Sequence, residues 1–171
     1  MRYASMRSLD ISNGEGVGVS LFVQGCLRHC KNCFNPETWS MAGGQEFTAE
    51  IRKEFLELVS RSYITRVTFI GGEPLLNANL EEITSLSQEI KNKYPDKKQW
   101  LYTGYKWEDI MKDPRQYNAI QNLDVLIDGE YIDELRDHRL IYRGSRNQRV
   151  IDVQASLSND KILLLNRECE L

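Results

Sequence analysis

Apolar positions along the chain fall into short β-rich runs separated by stretches of helical period. The run 19–23 (VSLFV) comes first, and the segment 24–40 that follows shows no strong period. Thr48 then opens a helical pattern as its N-cap, with Ile51, Phe55, Leu58 and Val59 on one face. The run 66–70 (RVTFI) reads as a buried strand that stops at Gly71-Gly72-Glu73-Pro74. Asn79, with Glu82 three residues on, has the form of a capping box. It opens a helix with Ile83, Leu86 and Ile90 on its apolar face, closed by Pro95. The run 99–103 (QWLYT) is the next strand, broken by Gly104; a short helix over 107–113 and a further turn or two over 115–120 follow. A fourth strand, 124–127 (DVLI), ends at Asp128-Gly129. Beyond it, 140–143, 149–153 and 161–165 read as strand-rich, with a turn at Ser158-Asn159-Asp160.

Strands that alternate with helices imply βαβ units. The expected class is therefore α/β, a mainly parallel open sheet with flanking helices. In such sheets functional loops gather at the carboxyl ends of the strands. Here those ends carry the cysteines, Gly71-Gly72-Glu73-Pro74, Thr103-Gly104-Tyr105 and Asp128-Gly129, so one active site is expected along one sheet edge. The length of 171 residues, without repeat, low-complexity stretch or linker, suits one domain over 1–171, with 155–171 an unassigned tail.

Composition narrows the function. The chain is 41% hydrophobic and 27% charged, values of an ordinary globular protein. No apolar run approaches the roughly 20 residues of a membrane span, and the N-terminus MRYASMRSLD lacks the features of a signal peptide. A cytoplasmic location is the expectation. A net charge of −3 without a dense basic run argues against nucleic acid as partner, since Arg143, Arg146 and Arg149 form too small a cluster.

Three of the four cysteines, Cys26, Cys30 and Cys33, form a C-x3-C-x2-C array. In an intracellular protein such a trio points to a metal site rather than disulfides. Three thiolates can each take one iron of a [4Fe–4S] cube and leave the fourth open to a substrate. The amino and carboxylate groups of S-adenosylmethionine suit that open iron. A structural zinc site is the alternative, with His29, His138 or Cys169 as fourth ligand, although no second ligand knuckle is visible. Cys169 reads as a free thiol near the chain end, or else as a fourth cluster ligand.

Two glycine segments differ in weight. In Gly14-Glu15-Gly16-Val17-Gly18 the glycines precede a strand, so the segment reads as a turn rather than a dinucleotide fingerprint. In Gly71-Gly72-Glu73-Pro74 the missing side chains let a ligand reach backbone carbonyls, which can accept hydrogen bonds from an ammonium group. Glu73 is expected to orient that loop rather than act as acid or base. Tyr105, Trp39, Trp100 and Trp107 are expected to pack, and His138 to lie at the surface.

Together the cysteine array and Gly71-Gly72-Glu73-Pro74 resemble the signatures of the radical S-adenosylmethionine superfamily. Further segments narrow the resemblance: NGEG (13–16), SLFVQGC (20–26), CFNPETW (33–39), LYTGYKWEDI (101–110), VLIDGEY (125–131) and RGSRNQRVID (143–152). With these the chain is similar, over about residues 10–152, to the activating enzymes of anaerobic (class III) ribonucleoside-triphosphate reductases. The resemblance implies a partial (βα) barrel and a [4Fe–4S] cluster on Cys26, Cys30 and Cys33 that cleaves S-adenosylmethionine to a 5′-deoxyadenosyl radical. It implies a glycyl radical installed on the partner reductase, with a low-potential donor such as flavodoxin or ferredoxin. It places Asn32, Cys33, Phe34, Gly71, Gly72 and Glu73 at the S-adenosylmethionine site, with Asp128 and the segment 145–149 there or at the partner-facing mouth. Related sequences often carry Arg where Gly18 stands and Pro where Glu15 stands, and many carry an aromatic where Asn32 stands; Phe34 is the aromatic nearest to it.

Overall fold

The computed structural model describes residues 1–165. Its seven strands are β1 (Arg2–Asp10), β2 (Gly18–Val23), β3 (Gln45–Glu46), β4 (Arg66–Gly71), β5 (Lys98–Tyr102), β6 (Val125–Asp128) and β7 (Arg149–Asp152). They form one mixed sheet in the order β3-β1-β2-β4-β5-β6-β7. The centre, β2-β4-β5-β6, is parallel, while β1 on β2, β3 on β1 and β7 on β6 are antiparallel. The helices are α1 (Ala49–Ser60), α2 (Asn77–Lys93), α3 (Trp107–Ile110), α4 (Pro114–Ile120) and α5 (Val153–Asn159).

The two-residue period of the strands sorts their side chains between two unlike faces. Val19, Leu21 and Val23 of β2, Val67 and Phe69 of β4, Leu101 of β5 and Leu126 of β6 join one core. That core takes Phe55 and Val59 from α1, Leu80, Ile83, Leu86 and Ile90 from α2, and Ile120 from α4. Each fully buried side chain of this kind contributes roughly 1.5–3 kcal/mol. The alternate residues face the other way: Phe22, Ile70 and Tyr102 line a cavity, and Trp100, Val125 and Ile127 form a smaller cluster with Val150. The helices thus insulate one face, and the chemistry is confined to the other.

Several expectations need correction. The sheet is parallel only in its centre, because β1 and β7 close its flanks antiparallel. β1 escapes a pattern search because only Tyr3 and Asp10 of it are buried. Residues 140–143 form no strand, 161–165 contribute a single bridge between Leu164 and Ile151, and Val153 opens α5. Asp152 caps that helix by accepting from Ala155 N at 2.9 Å. The capping box at Asn79 and Glu82 is absent: α2 begins at Asn77 behind Leu76. Asn79 is buried, and its amide donates to the Gln24 carbonyl at 2.9 Å and the Glu73 carbonyl at 3.0 Å. Glu82 pairs instead with Arg52 of α1. Thr48 does cap α1 as expected, accepting from Ile51 N, and α2 ends two residues before Pro95.

Candidate functional site

A cavity of about 530 Å³ opens at the carboxyl ends of β2, β4, β5 and β6, within the range typical of small-molecule sites. Cys26, Cys30, Cys33, Phe34, Gly71, Gly72 and Glu73 all line it. The loop after β2 and the turn after β4, which are 45 residues apart in the chain, are therefore walls of one space.

Backbone contacts hold that wall together. Gly25 N donates to the Thr38 carbonyl at 2.8 Å and Cys26 N to the Trp39 carbonyl at 3.1 Å, folding 34–39 back over the loop. His29 stacks on Trp39 with ring centroids 4.7 Å apart. Gly72 N donates to the Val23 carbonyl at 2.9 Å, and Glu73 N to the Gly25 carbonyl at 2.8 Å. A Cβ on Gly72 would stand 2.4 Å from the Gly25 oxygen, and one on Gly71 would stand 2.8 Å from Val23 backbone. The double glycine is thus required first by this close approach of two chain segments. His29 and Asn32 hold left-handed backbone at φ of 51° and 55°, and so does Tyr142 across the cavity at 61°. Such non-glycine residues are uncommon and concentrate where the surroundings over-determine the chain.

Glu73 is 3% exposed, and its carboxylate is fully engaged. It accepts from Leu75 N at 3.0 Å, Thr103 Oγ1 at 2.7 Å and Gly104 N at 2.8 Å. It orients the loop after β5 as well as its own turn. Burial pushes its carboxyl up, while these three donors and nearby Arg28 pull it down.

The three thiols are free. Burial pushes the Cys26 thiol up, and burial together with the Glu130 carboxylate, 3.5 Å from Cys30 Sγ, raises Cys30 to about 11. Cys33 Sγ accepts from Asn35 N at 3.4 Å. Metal binding, which takes thiolates, therefore works against these shifts at Cys26 and Cys30. Among the described residues, no three His, Cys, Asp or Glu side chains are grouped as the ligands of one metal ion. Three free thiols along one cavity wall suit the three-cysteine ligation of a [4Fe–4S] cluster. Cys169, the alternative fourth ligand, lies outside the described residues.

Of the other expected site residues, Phe34 lies at the cavity and Asn32 and Asp128 do not. Phe34 is 59% exposed and lies edge-on to Tyr131 at 5.1 Å. Asn32 does not line the cavity; its amide donates to Asp133 Oδ2 at 2.7 Å and pins the loop from outside. Asp128 stands behind the cavity rather than in it, wholly buried. Its carboxylate accepts from Trp107 N at 2.8 Å, holding the start of α3, and from the Arg149 guanidinium. Arg149 also pairs with Glu108, which it holds down to about 2. Within 145–149, Gln148 reaches the cavity and Ser145 is buried, accepting from Ile132 N. Tyr105 packs, as expected, but against Arg28.

Of the residues lining the cavity, Arg28 is one that the sequence did not single out. Gln148 Oε1 accepts from Gly144 N and its amide donates to the Gly129 carbonyl, tying 129–148 into one loop. Gly18 also has a local reason for lacking a side chain. It pairs with Arg66 across β2 and β4, and a Cβ there would meet the Arg66 guanidinium at 2.6–2.8 Å. The Arg66 guanidinium, from the neighbouring strand, occupies the space beside Gly18.

A family model described as a 4Fe-4S single cluster domain matches residues 12–151. The anaerobic ribonucleoside-triphosphate reductase-activating protein of Enterobacteria phage T4 is 43% identical over 150 residues, 88% of this chain and 93% of that protein. The proteins of that name from Vibrio cholerae serotype O1 and Escherichia coli K12 are 37% and 36% identical, covering 86% and 88% of this chain and 96% and 97% of theirs. On these likenesses, the chain belongs to the family of anaerobic ribonucleoside-triphosphate reductase-activating proteins with a 4Fe-4S single cluster domain.

Proposed function

We propose that this protein is a radical S-adenosylmethionine activase, an oxidoreductase that installs a glycyl radical on anaerobic ribonucleoside-triphosphate reductase. The observation that carries the reading is the shared cavity, in which three cysteines of one loop face the Gly71-Gly72-Glu73 turn. When bound, the [4Fe–4S] cluster and S-adenosylmethionine supply reductive cleavage of a carbon–sulfur bond, giving methionine and a 5′-deoxyadenosyl radical that takes hydrogen from a glycine of the reductase. The chain's own part is to bind, aim and exclude water. Cys26, Cys30 and Cys33 would hold the cluster. Gly71 and Gly72 offer backbone where no side chain intervenes, and Glu73 fixes that backbone through Thr103 and Gly104. Phe34 supplies an apolar surface at the mouth, while Asn32 and Asp128 act from behind as supports.

The helices on one face and the cavity on the other support a partial (βα) barrel whose open side admits the partner's glycine-bearing segment. Residues 1–171 would work as one such domain in the cytoplasm, with flavodoxin or ferredoxin as the electron donor. No helix among the described residues is long and apolar enough to cross a membrane. Anaerobic reconstitution followed by electron paramagnetic resonance tests the reading. The reduced protein is expected to give a [4Fe–4S]⁺ signal that changes on adding S-adenosylmethionine, and then a glycyl radical on the reductase. Zinc bound tightly in place of a cluster, or a cluster indifferent to S-adenosylmethionine, would overturn it.

A further inference from the structure

We propose that Arg28 is a positioning residue that joins the cysteine loop to three strand ends and sets the charge around the thiolates. The inference rests on the cluster reading above. Arg28 lies between Cys26 and Cys30, and its side chain, 27% exposed, reaches back across the cavity wall. Nε stands 3.7 Å from Glu73 Oε2, in the turn after β4. A terminal nitrogen stands 3.7 Å from Glu130 Oε2, in the loop after β6. The guanidinium carbon lies 4.5 Å from the centroid of Tyr105, in the loop after β5. Gly104 completes the seat, because a Cβ there would come within 2.2 Å of Arg28 Nε and 2.3 Å of Cδ. One planar cation therefore spans the ends of β4, β5 and β6.

The chemistry of the position explains why a guanidinium suits it. Glu73 and Glu130 bring two carboxylates to a loop whose function requires up to three thiolates. Glu130 also faces Cys30 Sγ at 3.5 Å, so Arg28 and Cys30 share one carboxylate. Without a cation between them, the carboxylates would repel the thiolates and disfavour further negative charge at the cluster. A planar fork can face two carboxylates and stack on a tyrosine at once, which a lysine ammonium cannot. The potential of an iron–sulfur cluster follows the net charge and hydrogen bonding around it. Arg28 accordingly raises the ease of reduction as well as fixing the loop.

The test uses the full chain, reconstituted with iron and sulfide under anaerobic conditions, without S-adenosylmethionine or partner. Arg28→Gln, Arg28→Lys and Gly104→Ala are titrated potentiometrically, with iron content and the resonance g-values measured alongside. Arg28→Gln is expected to shift the cluster midpoint to lower potential, and Arg28→Lys to shift it less. Gly104→Ala leaves the charge and the cysteine loop intact and acts by displacing Arg28; it is expected to alter the g-values and shift the midpoint in the same direction. Variants with wild-type iron content, midpoint and g-values would overturn the proposal. Should Arg28→Gln hold no iron, Gly104→Ala decides, and wild-type behaviour there rejects the role. Failure of the wild-type chain to form a cluster at all would instead reject the cluster reading.

Discussion

The two ends of the parallel strands are built on the same device, an arginine lying against a glycine, and use it differently. At the amino ends Arg66 of β4 packs over Gly18 and Gly14 and is fully buried. It donates to the Asp10 carbonyl at 2.7 Å and Thr68 Oγ1 at 2.6 Å, and also to the Asn13 carbonyl, while the Asp10 carboxylate stands 3.7 Å away. At the carboxyl ends Arg28 packs over Gly104 and keeps 27% of its side chain exposed, between carboxylates at 3.7 Å. The first arginine is dry and bonded mainly to backbone, so it acts as a fixed bolt on the 10–17 turn. The second is wet and held by longer contacts, which suits a wall that must admit a cluster and a ligand. Charge buried without water demands pairing, which Arg66 has at both terminal nitrogens although not at Nε, whereas charge at a cavity keeps some freedom.

Removing the bolt should have the largest effect. Arg66→Met leaves the buried Asp10 carboxylate without its cation and is expected to cost about 3–5 kcal/mol of stability, read from the denaturant midpoint. Because Gly18 and Arg66 are register partners, adding Gly18→Arg to Arg66→Gly should recover part of that loss. No recovery would mean that the guanidinium cannot be supplied from β2. A middle effect is expected at the other end. Glu73→Gln cannot accept all three of its donors and should cost roughly 1–3 kcal/mol, measured by the same denaturation, with the loop after β5 loosened. The smallest effect is a pH dependence. Burial works to raise Asp10, but the Ser20 hydroxyl, the Asn13 amide and the backbone N–H groups of Ser12 and Asn13 outweigh it and hold the carboxyl at about 2. A carboxyl lowered on folding stabilises the protein above its unfolded value of 3.8. That contribution should fade as pH falls from there through about 2. Ser20→Ala should move the fade to higher pH, and an unchanged acid limb would remove Asp10 from the account.

The site was more legible in the sequence than its surroundings. The cysteine array and the double glycine stand on the same cavity wall, as convergence at strand ends required. The four central strands were visible because burial on both faces leaves near-continuous apolar runs. β1 was not, since seven of its nine residues are partly or wholly exposed apart from the buried Tyr3 and Asp10. Asn79 carried a capping signature that burial redirected to the Gln24 and Glu73 carbonyls. The family resemblance put Asp128 at the site or its mouth, yet its carboxylate is engaged by Trp107 and Arg149. Arg28 gave no signal at all, because its partners lie 45 to 102 residues away in Glu73, Tyr105 and Glu130.

The sequence by itself determined the central strands and the flanking helices, and it placed three cysteines on one short loop. Those depend on period, composition and spacing within short stretches. Only the tertiary structure decided which polar groups face the cavity and which are consumed as supports. That choice turns on Glu73 N reaching the Gly25 carbonyl at 2.8 Å, and on which strand delivers an arginine to a shared space. Neither is a property of any one segment, because both arise from distances between segments that meet only when the sheet is formed.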